Sequence, residues 1–205
     1  PFLIGLTGSI GMGKSETAKM FARMGIPVND SDANVHALYE PGGAAVPEIE
    51  KTFPGTVHDG RVDRTLLTKA LAADLSGFKK LEAIVHPLVA KTQTDFLAKA
   101  EAAGADMVVL DIPLLFETGS HARMDAVVVV SAPSHIQRKR VLERPGMTED
   151  KLDQILSRQT PNEEKRAKAH FVVETDKGLD QAFEQVQAIV KTLREKIAAE
   201  KRNNA

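Results

Sequence analysis

The chain has 205 residues, 42% hydrophobic and 27% charged, with a net charge of −1. This balance is typical of one globular domain with its own core, excludes global disorder, and gives no whole-chain sign of nucleic-acid binding. The absence of cysteine excludes disulfides, thiolate metal sites and cysteine nucleophiles, and favours a cytoplasmic protein. Since no apolar run reaches about 18 residues and no basic leader precedes the first one, we expect neither a membrane span nor a signal peptide.

Short apolar runs alternate with segments of helical spacing along the chain. The predicted strands are 2–6, 26–28, 107–111, 126–130 and 171–173. The predicted helices are 14–24, 32–39, 46–53, 66–75, 77–85, 86–102, 133–144, 148–159 and 179–200. Continuous apolar strands that alternate with helices predict an α/β fold, a doubly wound parallel sheet with helices on both faces.

A glycine-rich segment, residues 8–15, follows the first strand and precedes the first helix, and we call it the phosphate loop. It matches the pattern G-x-x-x-x-G-K-[ST], in which glycines let backbone N–H groups approach phosphate oxygens closely. A glycine turn with a chance Lys-Ser pair is the alternative. The motif indicates a P-loop NTPase-like sheet that binds a nucleoside triphosphate with Mg²⁺, and by itself it does not distinguish a kinase from a GTPase or a motor. The residues expected to bind ATP here are Gly8, Gly11, Met12, Gly13, Lys14, Ser15 and Glu16.

Carboxylates follow two predicted strands, where ligands of parallel sheets bind. We expect the segment from Asp30 to Asp32 to lie beside the phosphate loop, where Asp32 would act as a catalytic base or cap the next helix. Asp111 would help to hold Mg²⁺ through water, together with Ser15, or would form a turn at the end of its strand.

A basic helix and the segment after it form a candidate lid over a triphosphate. Arg140 and Arg144 are the candidate phosphate-binding arginines, and the alternative is a solvated helix face paired with nearby acidic residues. His86 is a lone histidine, which is more often structural than catalytic. The six histidines have no metal-ligand spacing.

Taken together in this order, these motifs resemble the dephospho-coenzyme A kinase family over nearly the whole chain. The matching segments are 4–15, the Asp30–Asp32 segment, His86 with Pro87, 113–117, Arg140, Arg144, Met147 with Thr148, and Gln159. The chain departs from the family pattern at Ser9, Glu16, His170 and Glu174.

The resemblance implies a kinase that transfers the ATP γ-phosphoryl group to the ribose 3′-hydroxyl of dephospho-CoA. It implies a core of about 1–34, 105–137 and 169–200, an acceptor-binding helical insert of about 35–104, and a lid of about 138–168. Asp32, Lys14 and Arg140 would be catalytic, and Asp32, His86 and Leu114 would bind the acceptor. The expected partners are Mg²⁺, ATP and dephospho-CoA, without nucleic acid or membrane, in a monomer or weak homo-oligomer.

Rival readings share the phosphate loop. Another small-metabolite or nucleotide kinase would differ in the acceptor that the insert binds, and the insert contains no motif that identifies the acceptor. A GTP-dependent switch is disfavoured because no N-K-x-D stretch is present to select guanine. A non-catalytic ATP-binding module is the third alternative.

Overall fold

The computed structural model describes residues 1–205, which form two compact units: residues 1–29 with 100–205, and residues 30–99. The strands are β1 (Phe2–Thr7), β2 (Val28–Asp30), β3 (Val57–His58), β4 (Arg61–Val62), β5 (Met107–Asp111), β6 (Ala126–Ser131) and β7 (Phe171–Glu174). The helices are α1 (Lys14–Arg23), α2 (Ser31–Tyr39), α3 (Val46–Thr52), α4 (Arg64–Ala73), α5 (Gly77–Ala102), α6 (Ser134–Leu142), α7 (Glu149–Arg158), α8 (Asn162–Lys168) and α9 (Leu179–Asn203). None of these helices combines the length and apolar character of a transmembrane span.

The first unit is built on a five-stranded sheet in the order β2-β5-β1-β6-β7. β1 pairs in parallel with β5 on one side and with β6 on the other, and β6 pairs in parallel with β7. From the central β1 the chain fills first one half of the sheet and then the other. The carboxyl end of β1 is therefore a topological switch point, where ligands of such sheets bind. This confirms the predicted α/β fold class.

Both faces of the sheet are covered. Successive side chains of β6 point to opposite faces of the sheet, and both sets are buried. Val128 and Val130 join the larger core cluster, which includes buried residues of α1 and α9. Val127 and Val129 pack instead with Leu115 and others on the opposite face. The continuous apolar run of this strand follows from burial on both sides.

The second unit has its own small core, built mainly from α2, α3 and α4. A two-stranded antiparallel hairpin, β3 with β4, joins α3 to α4. Asp59 and Gly60 at its turn both have positive φ, 53° and 77°, as a tight two-residue hairpin turn requires. The sequence analysis predicted no strands here, because two-residue strands are too short to show periodicity.

The predicted helix break between residues 85 and 86 was wrong, because α5 runs without interruption from Gly77 to Ala102, through Pro87. Proline lacks an N–H and crowds the carbonyl four residues earlier. That carbonyl belongs to the exposed Ala83, where water can bond to it. Ile84 and Val85 before the proline, and Leu88 after it, pack against the same small core, which holds both halves in one helix.

The predictions for the Asp30–Asp32 segment need two corrections. The residue that caps α2 is Asp30, whose Oδ1 accepts a hydrogen bond from Ala33 N at 3.0 Å, whereas Asp32 lies exposed in the first helical turn. The strand beside β1 is β5 rather than β2, so the strand end next to the phosphate loop carries Asp111. The capping role is therefore already filled, and the Asp32 carboxylate is not needed for it.

This division of roles predicts a difference in stability. We expect Asp30→Ala to lower the free energy of unfolding by about 1 kcal/mol, because the cap is lost, and Asp32→Ala by only about 0.3 kcal/mol. Asp63→Ala is the matched positive control, since Asp63 caps α4 through a 3.1 Å bond from Leu66 N. Urea unfolding measures all three variants, and equal losses for Asp30 and Asp32 would contradict the assignment.

Candidate active site

The phosphate loop connects β1 to α1 in a conformation that requires glycine. Gly11 and Gly13 have φ angles of 76° and 94°, which L side chains rarely adopt. Space is also restricted: a Cβ on Gly11 would lie 2.4 Å from Val141 Cγ2, and one on Gly8 would lie 2.9 Å from the Val130 carbonyl oxygen. The sequence motif thus corresponds to real backbone constraints.

Side chains from outside the loop fix its first half. The Ile10 N–H donates to Gln159 Oε1 at 3.3 Å, and the Ile10 carbonyl accepts from Gln137 Nε2 at 2.8 Å. Gln137 belongs to α6, and Gln159 directly follows α7. Both polar groups of one loop residue are therefore held by side chains from outside the loop, Gln137 just before the predicted lid and Gln159 within it.

The next two carbonyls of the loop are held as well. Arg140 donates to the Gly11 carbonyl at 3.3 Å, and the Thr175 hydroxyl donates to the Met12 carbonyl at 2.6 Å. Arg140 also donates to Oγ1 and the carbonyl of Thr175, at 3.0 and 2.7 Å. Because the protein's own side chains make these bonds, they hold the loop in shape, which lowers the cost of ordering it around an anion.

Lys14 and Asp111 form an ion pair at the carboxyl edge of the sheet. The two side chains are 17% and 3% exposed, and the contact arises because β5 lies directly beside β1. The structure thus brings together a predicted phosphate-binding cation and a predicted metal-side carboxylate. The carboxylate orients the ammonium at the start of α1 and leaves it partly open to solvent.

The predicted basic cluster separates into two kinds of residue. Arg140 is bound to the loop as described, and Arg144 is exposed just beyond the end of α6. Arg138 points elsewhere and pairs with Glu149 and Asp153 of α7. For Arg138 the alternative of a solvated, ion-paired helix face is therefore correct.

A cavity of about 380 Å³ opens beside the phosphate loop. Five predicted ATP-binding residues line it: Gly11, Gly13, Glu16, Arg140 and Arg144. The sequence analysis missed the segment after β7, which contributes Thr175, Asp176, Gly178 and Leu179. The sequence did predict the strand β7. Because β7 is parallel to β1, its carboxyl end lies at the edge of the sheet that carries the phosphate loop, and this was the available clue.

Two departures from the family pattern have structural partners. His170 Nδ1 accepts a hydrogen bond from Val127 N at 2.9 Å, next to the start of β6. Glu174 pairs with Arg166 at 2.7 Å and exchanges backbone hydrogen bonds with the Gln185 side chain. Both residues therefore fasten β7 to its surroundings.

The oxygen donors near the loop fit Mg²⁺. The Ser15 hydroxyl is on the exposed first turn of α1, and the Asp111 carboxylate is next to Lys14. No group of three or more His, Asp or Glu side chains is arranged to hold a metal ion. Because Mg²⁺ commonly takes one or two protein oxygens and completes its shell with phosphate oxygens and water, these two donors suit it only together with a bound triphosphate.

The remaining candidates lie elsewhere along the chain. Asp32 and His86 belong to the second unit, and both are exposed, in the first turn of α2 and in α5. Leu114 belongs to the first unit, follows β5 and is 44% exposed. Their roles toward an acceptor remain predictions.

The glycine geometry predicts unequal effects of two alanine substitutions. Gly146 also has a positive φ, 75°, but a Cβ there would meet nothing within 4 Å. Gly146→Ala should cost about 1 kcal/mol of stability for the backbone conformation alone. Gly11→Ala should cost at least about 1 kcal/mol more, because the added methyl group overlaps buried Val141. Thermal unfolding compares the two, and equal losses would show that the loop tolerates a side chain.

Comparison with known proteins identifies the family of the chain. The family model described as dephospho-CoA kinase matches residues 2–181. A curated relative from Rhizobium etli, named dephospho-CoA kinase, is 58% identical over 195 residues, covering 95% of each chain. A crystal structure of a Thermus thermophilus protein is 36% identical with a TM-score of 0.78, covering 95% of this chain and 97% of that one. The structure of a dephospho-CoA kinase from Campylobacter jejuni, 21% identical, has a TM-score of 0.70 over 93% of this chain and 96% of that one. The chain therefore belongs to the dephospho-CoA kinase family.

Proposed function

We propose that this chain transfers the γ-phosphoryl group of ATP to the ribose 3′-hydroxyl of dephospho-CoA, giving CoA and ADP. This reaction is the last step of coenzyme A biosynthesis. The observation that carries the proposal is the prearranged phosphate loop, which opens on a cavity of about 380 Å³ in a chain of this kinase family. A cytoplasmic location and a monomeric or weakly associated state stay predictions.

The triphosphate would bind along the phosphate loop and the start of α1. Backbone N–H groups at a helix N-terminus offer partial positive charge to anions. Lys14 would exchange its contact with Asp111, in part, for contacts with the β- and γ-phosphates, and Arg140 and Arg144 would add charge from the other side of the cavity. Mg²⁺, held by Ser15 and through water by Asp111, would neutralise charge on the phosphates when bound.

The adenosine part of ATP would occupy the cavity next to the loop. Gly178 and the 61% exposed Leu179 give this cavity an open apolar wall, and Asp176 adds an acceptor for polar groups of a base. Leu179 begins α9, so a rigid helix would carry the base contact. This placement accounts for an exposed leucine that no part of the core requires.

Asp32 would accept the proton of the attacking hydroxyl. The acceptor oxygen forms a bond to the γ-phosphorus while the bond from that phosphorus to the β,γ-bridging oxygen breaks, and the hydroxyl proton passes to the carboxylate. Support for this role is that Asp30 already caps α2, so Asp32 is not needed as the helix cap. The helical second unit with His86, and Leu114 after β5, would hold the acceptor.

The first test compares phosphoryl acceptors with the purified full chain and Mg-ATP. We expect dephospho-CoA to be phosphorylated far faster than AMP, a nucleoside or shikimate, and ATP to be a better donor than GTP. ADP release gives the rate, and mass spectrometry identifies CoA as the product. Faster turnover of one of the other acceptors would replace the proposal with another small-metabolite kinase, and no turnover with ATP binding intact would indicate a binding module.

The second test separates the role of Asp32 as catalytic base from the role of Lys14 in phosphate binding. Asp32→Asn should lower kcat by about 100- to 10,000-fold while the Kd for Mg-ATP stays unchanged, because only a step in the transition state is lost. Lys14→Met should instead weaken Mg-ATP binding as well as turnover.

Asp63→Asn is the matched control, since asparagine still caps α4 and Asp63 lies in the same unit as Asp32. Calorimetry gives the Kd and steady-state assays give kcat. Wild-type turnover by the Asp32→Asn enzyme would reject Asp32 as the base.

A further inference from the structure

A lysine with no exposed surface lies beneath the phosphate loop. The Lys165 side chain of α8 is 0% exposed, and its Nζ is 3.2 Å from Ser9 Oγ and 3.2 Å from Glu117 Oε2. A buried ammonium group without partners would lower the stability of the fold by several kcal/mol, roughly the free energy needed to remove one ion from water. These two contacts are therefore what allows the charge to remain at this position.

The carboxylate that balances this charge is held through one of its two oxygens, and Glu117 Oε1 is buried without a hydrogen-bond partner. Glu117 Oε2 also accepts a hydrogen bond from Thr160 N at 2.8 Å. Burial alone would raise the pKa of Glu117, but backbone hydrogen bonds, with that from Thr160 first, and the Lys165 ammonium together keep this pKa below its usual value. Glu117 is therefore a charged carboxylate at neutral pH, and its Oε2 lies 3.2 Å from Lys165 Nζ.

The ammonium group joins three separate parts of the first unit. Ser9 belongs to the phosphate loop, Glu117 follows β5, and Lys165 lies at the far end of the segment predicted as a lid. Thr160, which donates to Glu117, directly follows Gln159, which accepts from Ile10 N of the loop. The neighbouring loop residues Ser9 and Ile10 are thus bonded to one short segment, which runs from Gln159 to Lys165.

We propose that Lys165 is a positioning residue for ATP, which fixes the first half of the phosphate loop against α8 through Ser9 and Glu117. This inference rests on the proposed ATP-dependent function. Since its side chain is fully buried, Lys165 does not touch the nucleotide and acts only through the loop. Its loss should therefore weaken Mg-ATP binding and leave the KM for the acceptor nearly unchanged.

The central test is a pair of variants that separates stability from ATP binding. Lys165→Met leaves Glu117 buried without its counter-ion and should lower the Tm clearly. Lys165→Met combined with Glu117→Gln removes both charges, so the Tm should return toward that of the wild type. We expect the Kd for Mg-ATP to rise about tenfold or more in both, because neither variant restores the bond to Ser9. Calorimetry without acceptor measures this Kd.

Two further variants complete the comparison. Ser9→Ala removes only the hydroxyl and keeps the Glu117 counter-ion, so it should raise the Kd several-fold with a smaller loss of Tm than Lys165→Met. It keeps the test valid if Lys165→Met does not fold. Lys168→Met is the matched control, because Lys168 is an exposed lysine on the same helix, and its Kd, Tm and kcat should equal those of the wild type.

The outcomes distinguish this inference from the proposed function. Recovery of both Tm and Mg-ATP affinity in the double variant would mean that the pair is merely structural, and unchanged affinity in the double variant and in Ser9→Ala would also overturn the inference. A wild-type chain that binds Mg-ATP but does not phosphorylate dephospho-CoA would reject the proposed acceptor and leave the Lys165 result standing. A wild-type chain that does not bind Mg-ATP would reject both.

Discussion

The phosphate loop keeps its shape because the protein satisfies its polar groups from outside. The Ile10, Gly11 and Met12 carbonyls accept hydrogen bonds from Gln137, Arg140 and Thr175, which come from α6 and from the end of β7. A loop that had to be ordered by its ligand would lose binding energy to that ordering. With the outer bonds already made, the remaining N–H groups are available to a phosphate chain at little entropic cost.

Strand order then determines which charges meet at this loop. β5 lies beside β1, so Asp111 reaches Lys14, whereas β2, with Asp30 at its end, lies one strand farther out. The segment that continues from β5 carries Glu117 to the buried Lys165. β5 and the segment after it therefore supply the carboxylates for two lysines: Asp111 pairs with the partly exposed Lys14, which can contact phosphate, and Glu117 pairs with the buried Lys165, which cannot.

Much of the fold was predictable because long elements leave a strong pattern. The apolar runs of β1, β5, β6 and β7, and the periodicity of α9, identified the doubly wound sheet. Elements whose formation depends on tertiary contacts were missed: the two-residue strands β3 and β4, the seven-residue α8, and the continuity of α5 through Pro87. Local propensity is too weak to specify these segments, and packing decides them.

The sequence by itself determined the chemistry of the site, because the spacing of Gly8, Gly13, Lys14 and Ser15 has meaning only in a strand–loop–helix that binds phosphate. Only the tertiary structure decided which groups surround that loop: the wall formed by Thr175 and Leu179, and the Lys165–Glu117 pair. The physical reason is distance along the chain. Lys165 meets Ser9 across 156 residues, and no local pattern records a contact that exists only after the sheet has formed.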